Sequence, residues 1–339
     1  MKHHHLYKYF RISTVLIFLI SGLLIRSTAQ DNTLAWKNTD GAITAGKTAP
    51  LKGQVVKITG VRFAYPLVQH WIDVYNQTYP AEQVIIESRS SNDPASYDIL
   101  IEAYELSQVI QQDREFLYLG RYAVLPIANQ RSAFAGKYGV EGLNAGQIKQ
   151  IFFHDNFVDR RDENKIKVTY SVYTRLQKAG VPITFATYFG YQQKDIQGKT
   201  IAGSDEHLVK ALLRDSNGIS YAPLPLAFRP ETGTVEKGIT IIPVDLDGNG
   251  KLNRSEYFYT NLSSVLQRLE SLSAAQIHNI PLAYLHFSIN KATASKSAVR
   301  FLKWVSEYGE TDLHRYGFLK IEPGKKLNEE FEKFLESSL

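Results

Sequence analysis

The sequence predicts an α/β fold with a largely parallel sheet. Short apolar runs bounded by Gly, Pro and Asn alternate with longer segments whose apolar residues recur at helical spacing. The connections between these runs are short, as in a chain that crosses repeatedly from strand to helix and back. No internal repeat or low-complexity block interrupts the pattern.

The folded part is expected to begin at 55-VVKITG-60, a short apolar strand ending in glycine. In 64-AYPLVQHWIDVYNQTYP-80, Leu67, Val68, Trp71, Ile72 and Tyr75 mark one helical face. Strand 83-QVIIES-88, the turn-rich segment 90–96 and strand 97-YDILIEA-103 follow. An extended run, 116–129, leads to helix 143–153, opened by Asn144. Strand 166–174 precedes helix 183–190, with Pro182 suited to its first turn. Helix 204–216, strands 218–228 and 239–244, helix 256–271, strand 282–290 and helix 293–309 complete the pattern. A charged amphipathic tail, 326–339, ends the chain.

The chain has 339 residues, 44% hydrophobic, enough for a sizeable core and two lobes. Residues 1–30 stand apart. A basic start (Lys2, Lys8, Arg11) leads into a short apolar run and the small residues Ser27 and Ala29, the pattern of a cleaved signal peptide. Residues 31–54 are polar and irregular and read as a linker. Residues 1–30 carry four basic residues and no acid, so removing them takes Lys+Arg from 39 to 35 against 34 acids. A near-neutral mature chain lacks the concentrated basic charge of a nucleic-acid binder. With no cysteine there is no disulfide, thiolate metal site or lipid-anchored N-terminal Cys. The expectation is a monomeric protein, periplasmic or secreted, that does not contact the membrane once the signal is cleaved.

One motif is set aside. 41-GAITAGKT-48 fits the phosphate-cradling pattern G-x4-G-K-[ST], but it lacks the preceding apolar strand and the following helix that the chemistry needs. Beyond residue 30 the six histidines (His70, His154, His207, His278, His286 and His314) are scattered singly, and neither G-x-S-x-G nor H-E-x-x-H occurs, so no enzyme is expected.

The segment 245-DLDGNGKLNRSE-256 satisfies D-x-[DN]-x-[DN]-G-x5-E. Asp245, Asp247 and Asn249 would supply hard oxygens, Lys251 its main-chain carbonyl and Glu256 a bidentate closure, while Gly250 permits the bend. These residues fit a structural calcium ion. They also favour a plain Asp/Asn/Gly turn between strand and helix. A calcium sensor is disfavoured, because sensing needs two flanking helices and this loop is entered from a strand.

The order of these segments resembles that of the phosphate-type periplasmic substrate-binding proteins of ABC transporters. 58-ITGVRFAYPLVQHWIDVYNQTYP-80 is similar to the family's opening, and 143-LNAGQIKQIFF-153 to its "LT.EQL..IF.G" helix. 203-GSDEHLVKALLRDSNGISYAPL-224 resembles the segment ending in "GAIGY", and 297-SAVRFLKWVSEYG-309 resembles "A..FL.WVL..G". The resemblance spans roughly 55–320 and implies a bilobed type II periplasmic-binding-protein fold whose two α/β lobes are joined by crossing strands. Lobe one would be 55–125 with 287–339, and lobe two 126–286 with the Asp-rich loop. The ligand would be phosphate or another small oxyanion, and the partner an ABC transporter permease. Oxyanions bind where helix N-termini and main-chain N–H groups converge. The places implied are Gly60-Val61-Arg62-Phe63, the loop 88–92 with Ser90 and Ser91, Thr174-Arg175 with Gly180 to Thr184, and Gly203-Ser204. The third loop, 175-RLQKAGVPIT-184, keeps an Arg and a Gly but lacks the family's Ser-Gly-Thr donors. That departure favours the competing expectation, a non-transport calcium-binding or scaffold protein that kept the fold and lost the phosphate site.

Overall fold

In the computed structural model the described residues are 55–87, 96–104, 113–153 and 165–339. The expected signal peptide, linker and phosphate-loop match, together with Ser90, Ser91 and Arg89, lie outside them.

β1 (Val55–Gly60) enters the core with Val56 and Ile58, and a 3-10 turn leads into α1 (Tyr65–Thr78). Pro66 occupies the first turn of α1, where a missing N–H costs nothing. The helix buries Leu67, Val68, Trp71, Ile72 and Tyr75, the residues its spacing picks out. It ends just before Pro80, which disfavours helical backbone at the residue preceding it. β2 (Gln83–Ile86) and β3 (Ile99–Glu102) lie parallel to β1 on its two sides.

β4 (Arg114–Asn129) is a 16-residue strand. Arg114–Ala123 pair antiparallel with β9 (Leu282–Asn290), whereas Val124–Ala128 pair with β7 (Gly218–Pro223). The expected boundary at 286/287 falls inside β9, whose residues pair with β4. A bulge at Tyr118/Gly120 lets the C-terminal segment cross the strand, with Arg121 bridged to Leu319. A Cβ on Gly120 would lie 2.7 Å from the Leu319 carbonyl oxygen, so no side chain fits there.

α2 (Ala133–Glu141) and α3 (Ala145–Phe153) follow. Ser132 Oγ caps the first, accepting from the Ala135 N–H at 2.9 Å, and Asn144 Oδ1 caps the second, accepting from the Gln147 N–H at 2.9 Å. β5 (Ser171–Arg175), α4 (Gly180–Tyr188), β6 (Lys199–Ile201), α5 (Asp205–Arg214) and β7 form a second parallel set, with β5 between β6 and β7. The short α6 (Leu224–Ala227) and β8 (Ile239–Ile241) lead to the Asp-rich loop. α7 (Leu262–Glu270), β9, α8 (Lys296–Tyr308) and α9 (Glu329–Ser338) complete the chain.

The sheet order is β2-β1-β3-β9-β4-β7-β5-β6, with β8 on β4. It is mixed rather than largely parallel: β4 and β9 cross between two parallel sets and pair antiparallel with their neighbours. Among the described residues no helix is long and apolar enough to cross a membrane.

Candidate functional site

A cleft of about 600 Å³ lies between the two parallel sets, at the carboxyl ends of β1, β3 and β5. Four turns line it: Gly60 to Arg62 after β1, the end of β3 to Tyr104, Arg175 to Gly180 before α4, and Gly203 to His207 at the start of α5. Each of the first, third and fourth joins a strand to a helix, which is where open α/β sheets bind ligands.

Close approach fixes two glycines. Gly60 has φ 139°, and a Cβ there would lie 2.1 Å from the Ile101 carbonyl oxygen. A Cβ on Gly180 would lie 2.8 Å from Ala103 Cβ, so α4 packs directly on the end of β3 across the cleft. Behind this contact the Tyr122 hydroxyl on β4 donates to the Ala103 carbonyl at 2.5 Å and lies 2.8 Å from Thr184 Oγ1. Burial raises the Tyr122 pKa, so the hydroxyl stays protonated.

Of the residues expected at the site, Gly60, Val61, Arg62, Arg175, Gly180, Gly203 and Ser204 line the cleft together. Phe63 does not. It is buried against Tyr122 and Phe318, with ring centroids 5.2 and 6.1 Å away. Thr184 is engaged by Tyr122 behind the cleft wall. The sequence reading missed Glu102, Tyr104, Lys178, Asp205 and His207, which also line it. Asp205 follows a helix-capping Ser, a setting in which an acid reads as ordinary first-turn charge.

Arg175 does not stand alone: its Nη1 lies 2.9 Å from Asp205 Oδ1, and both side chains are about nine-tenths buried. Burial raises the Asp205 pKa, and the Arg175 charge opposes that rise. Several main-chain donors are engaged within the protein. The Gly60 N–H donates to the Tyr65 hydroxyl at 3.3 Å and Val61 to the Ile101 carbonyl at 3.1 Å. Ala179 donates to Gln193 Oε1 at 3.2 Å and Gly203 to Gln177 Oε1 at 3.1 Å. The Ser204 N–H donates to His207 Nδ1 at 3.2 Å, and the Ser204 hydroxyl lies 2.9 Å from the same nitrogen. The His207 imidazole thus caps α5, and Nδ1 is already an acceptor for the cap.

The second candidate is the Asp-rich loop. Asp245 and Glu256 are buried, Asp247 is exposed, and one carboxylate oxygen from each lies within 4.8 Å of the others. Gly248 and Gly250 adopt φ 73° and 90°, which favour glycine. Asp245 accepts from the N–H groups of Asn249 (3.1 Å) and Gly250 (2.7 Å), and Asn249 Oδ1 from Lys251 (2.9 Å). Glu256 accepts from Leu246, Asp247 and Asn253 at 2.6, 3.0 and 2.6 Å. Burial raises the Asp245 pKa, opposed by the Gly250 N–H, with Asp247 and Glu256 adding to the rise. The donors are all oxygens and suit a hard divalent cation. The same carboxylates also order the loop through its own N–H groups. Asn279, at φ 61°, ties the loop to α4: its Nδ2 donates to the Asp245 carbonyl at 2.6 Å and its N–H to the Tyr188 hydroxyl at 2.7 Å.

No protein-family model and no curated protein matches the chain. Solved structures do. One, named a phosphate ABC transporter substrate-binding protein and solved with bound phosphate, from Clostridium perfringens, is 14% identical with a TM-score of 0.58, covering 79% of this chain and 100% of its own. An ABC-type phosphate transport receptor from Vibrio cholerae is 14% identical with a TM-score of 0.51, over 79% of this chain and 100% of its own. At such identity the likeness is one of fold: the chain shares the mixed α/β fold of these binding proteins.

Proposed function

We propose that this is an extracytoplasmic solute-binding protein that clamps a small, phosphate-like anion between its lobes and presents it to an ABC transporter permease. One observation carries the reading: Arg62, Arg175 and Lys178 face a single interlobe cleft at the starts of α4 and α5. Helix N-termini favour anions there, and guanidinium groups match oxyanion geometry. Binding works by closure of the lobes about β4 and β9, with no catalytic step. Signal-directed export and a monomeric state belong to the same proposal.

Calorimetry of the mature protein with phosphate, sulfate and molybdate tests it. Heat from at least one oxyanion is expected, and silence from all three sinks the oxyanion reading. A second reading, a scaffold that kept the fold without the phosphate site, is favoured by one feature: Arg175 is already paired with Asp205. In either case the loop 245–256 is proposed to hold a structural calcium ion through Asp245, Asp247, Asn249, the Lys251 carbonyl and Glu256. That proposal is supported by the convergence of three carboxylates beside two left-handed glycines.

A further inference from the structure

The turn at Gly203 and Ser204 has two adjacent main-chain N–H groups at the cleft, and a side chain covers each. The Gly203 N–H donates to Gln177 Oε1 at 3.1 Å, and the Ser204 N–H donates to His207 Nδ1 at 3.2 Å. A Cβ on Gly203, which has φ 104°, would lie 2.9 Å from Nδ1 and 3.0 Å from Cγ, so the His207 ring sits on the turn itself. Gln177 and His207 are exposed and line the cleft with Arg62 and Lys178.

A main-chain N–H can only donate, so each of these contacts fixes which way the covering side chain is turned. Nδ1 accepts from Ser204, so it carries no hydrogen and the ring's hydrogen sits on Nε2. The Ser204 hydroxyl, 2.9 Å from Nδ1, then donates to the same nitrogen. Gln177 Oε1 accepts from Gly203, which leaves its amide nitrogen as the outer atom. Among the described residues neither Nε2 has a hydrogen-bond partner. The turn thus holds two side-chain donors at the cleft in place of its own two N–H groups.

We propose that Gln177 and His207 are ligand-binding residues. Their Nε2 hydrogens, rather than the Gly203 and Ser204 N–H groups, donate to oxygens of the bound anion. The assignment rests on the anion-binding reading above and names two of its donors. Hydrogen bonds to a charged acceptor are stronger than those between neutral groups, so both contacts add to what Arg62 and Lys178 contribute.

Two substitutions of the ring separate its capping from its donating role, and neither adds a charge. His207→Asn places an acceptor where Nδ1 stands and has no atom at the position of Nε2. His207→Gln reaches both positions, and Ser-x-x-Gln is itself a capping box. Wild type, both variants and Gln177→Ala are titrated by calorimetry with inorganic phosphate, sulfate and molybdate. For the oxyanion that the wild type binds most tightly, His207→Asn and Gln177→Ala should each weaken binding by roughly tenfold or more, since each removes a donor to a charged acceptor. His207→Gln should rescue most of the affinity. Nitrogen–proton correlation spectra of the wild type give a second readout: the ring hydrogen should be on Nε2, and that resonance should shift when the oxyanion is added. Should a variant melt early, these spectra decide. Wild-type affinity in His207→Asn or in Gln177→Ala overturns the role of that residue and leaves the anion-binding reading intact. A ring hydrogen on Nδ1, or equal loss in His207→Asn and His207→Gln, does the same for His207. Heat from none of the three oxyanions in the wild type overturns both readings.

Discussion

His286 occupies β9 with 1% of its surface exposed, between the rings of Phe116 and Tyr118 at 5.5 and 5.2 Å. Its Nδ1 has no hydrogen-bond partner, and its Nε2 lies 3.8 Å from Glu102 Oε2. Burial pushes its pKa down to about 4, because the imidazolium loses more solvation than the neutral ring. Below about pH 6.5 the unfolded chain therefore binds a proton that the folded chain refuses until about pH 4. The stability this neutral ring contributes is complete above the unfolded value and is lost as pH falls through that window, by about 2 kcal/mol near pH 4.5. Urea unfolding of wild type and His286→Phe at about pH 7 and about pH 4.5 checks this. The wild type should lose about 2 kcal/mol more than the variant between the two conditions. Equal losses would remove His286 from the account.

At the scale of elements, Tyr122 joins three pieces of chain that no local pattern connects. Its hydroxyl reaches the end of β3 and the middle of α4 from β4. Tyr122→Phe strands the Ala103 carbonyl and the Thr184 hydroxyl, at a cost of about 1–3 kcal/mol in urea unfolding. Amide exchange should quicken in α4 and stay unchanged in α1, whose packing does not involve this contact. Uniform quickening of both helices would contradict the local role.

Contacts of this kind explain what the sequence could and could not reveal. α1, α3, β9 and α8 are legible because apolar spacing and turn or cap residues agree. The expected helix over 256–271 starts only at Leu262, where Asn261 caps it by accepting from Ser264 at 2.9 Å. The preceding Tyr257-Phe258-Tyr259 run carries apolar bulk without helix preference, and its Tyr257 hydroxyl is drawn to the Val140 carbonyl. The expected strand over 218–228 stops at Pro223, and Pro225 opens the short α6. α2 escaped notice because Gly136 and Gly139 dilute its helical signal, and β6 has three residues. In the cleft, the lining turns were readable as strand-to-helix junctions. The Arg175–Asp205 pair was not, since it joins side chains of separate turns.

For the whole molecule, the Asp-rich loop sits at a junction. Asp245 N–H donates to the Leu143 carbonyl between α2 and α3, and His278 N–H donates to the Leu246 carbonyl just ahead of β9. Asn279 links the same loop to Tyr188 on α4, whose other end lines the cleft. An ion bound there stabilises the folded chain by its free energy of binding, and it stiffens the segment from which a crossing strand departs. With a dissociation constant near the 10⁻⁴ M of extracellular modules, a roughly twenty-fold excess of calcium contributes about 2 kcal/mol. For a domain of this size that raises the melting temperature by about 4 °C. EDTA should lower the melting temperature of wild type and calcium should restore it. Asp247→Ala and Glu256→Ala should melt at the same temperature with and without calcium, because each removes a carboxylate from the converging set. If the variants respond to calcium as the wild type does, the ion is elsewhere. If the wild type itself is indifferent, the loop is a turn held by its own N–H groups, and the order at this junction comes from Asp245, Glu256 and Asn279 alone.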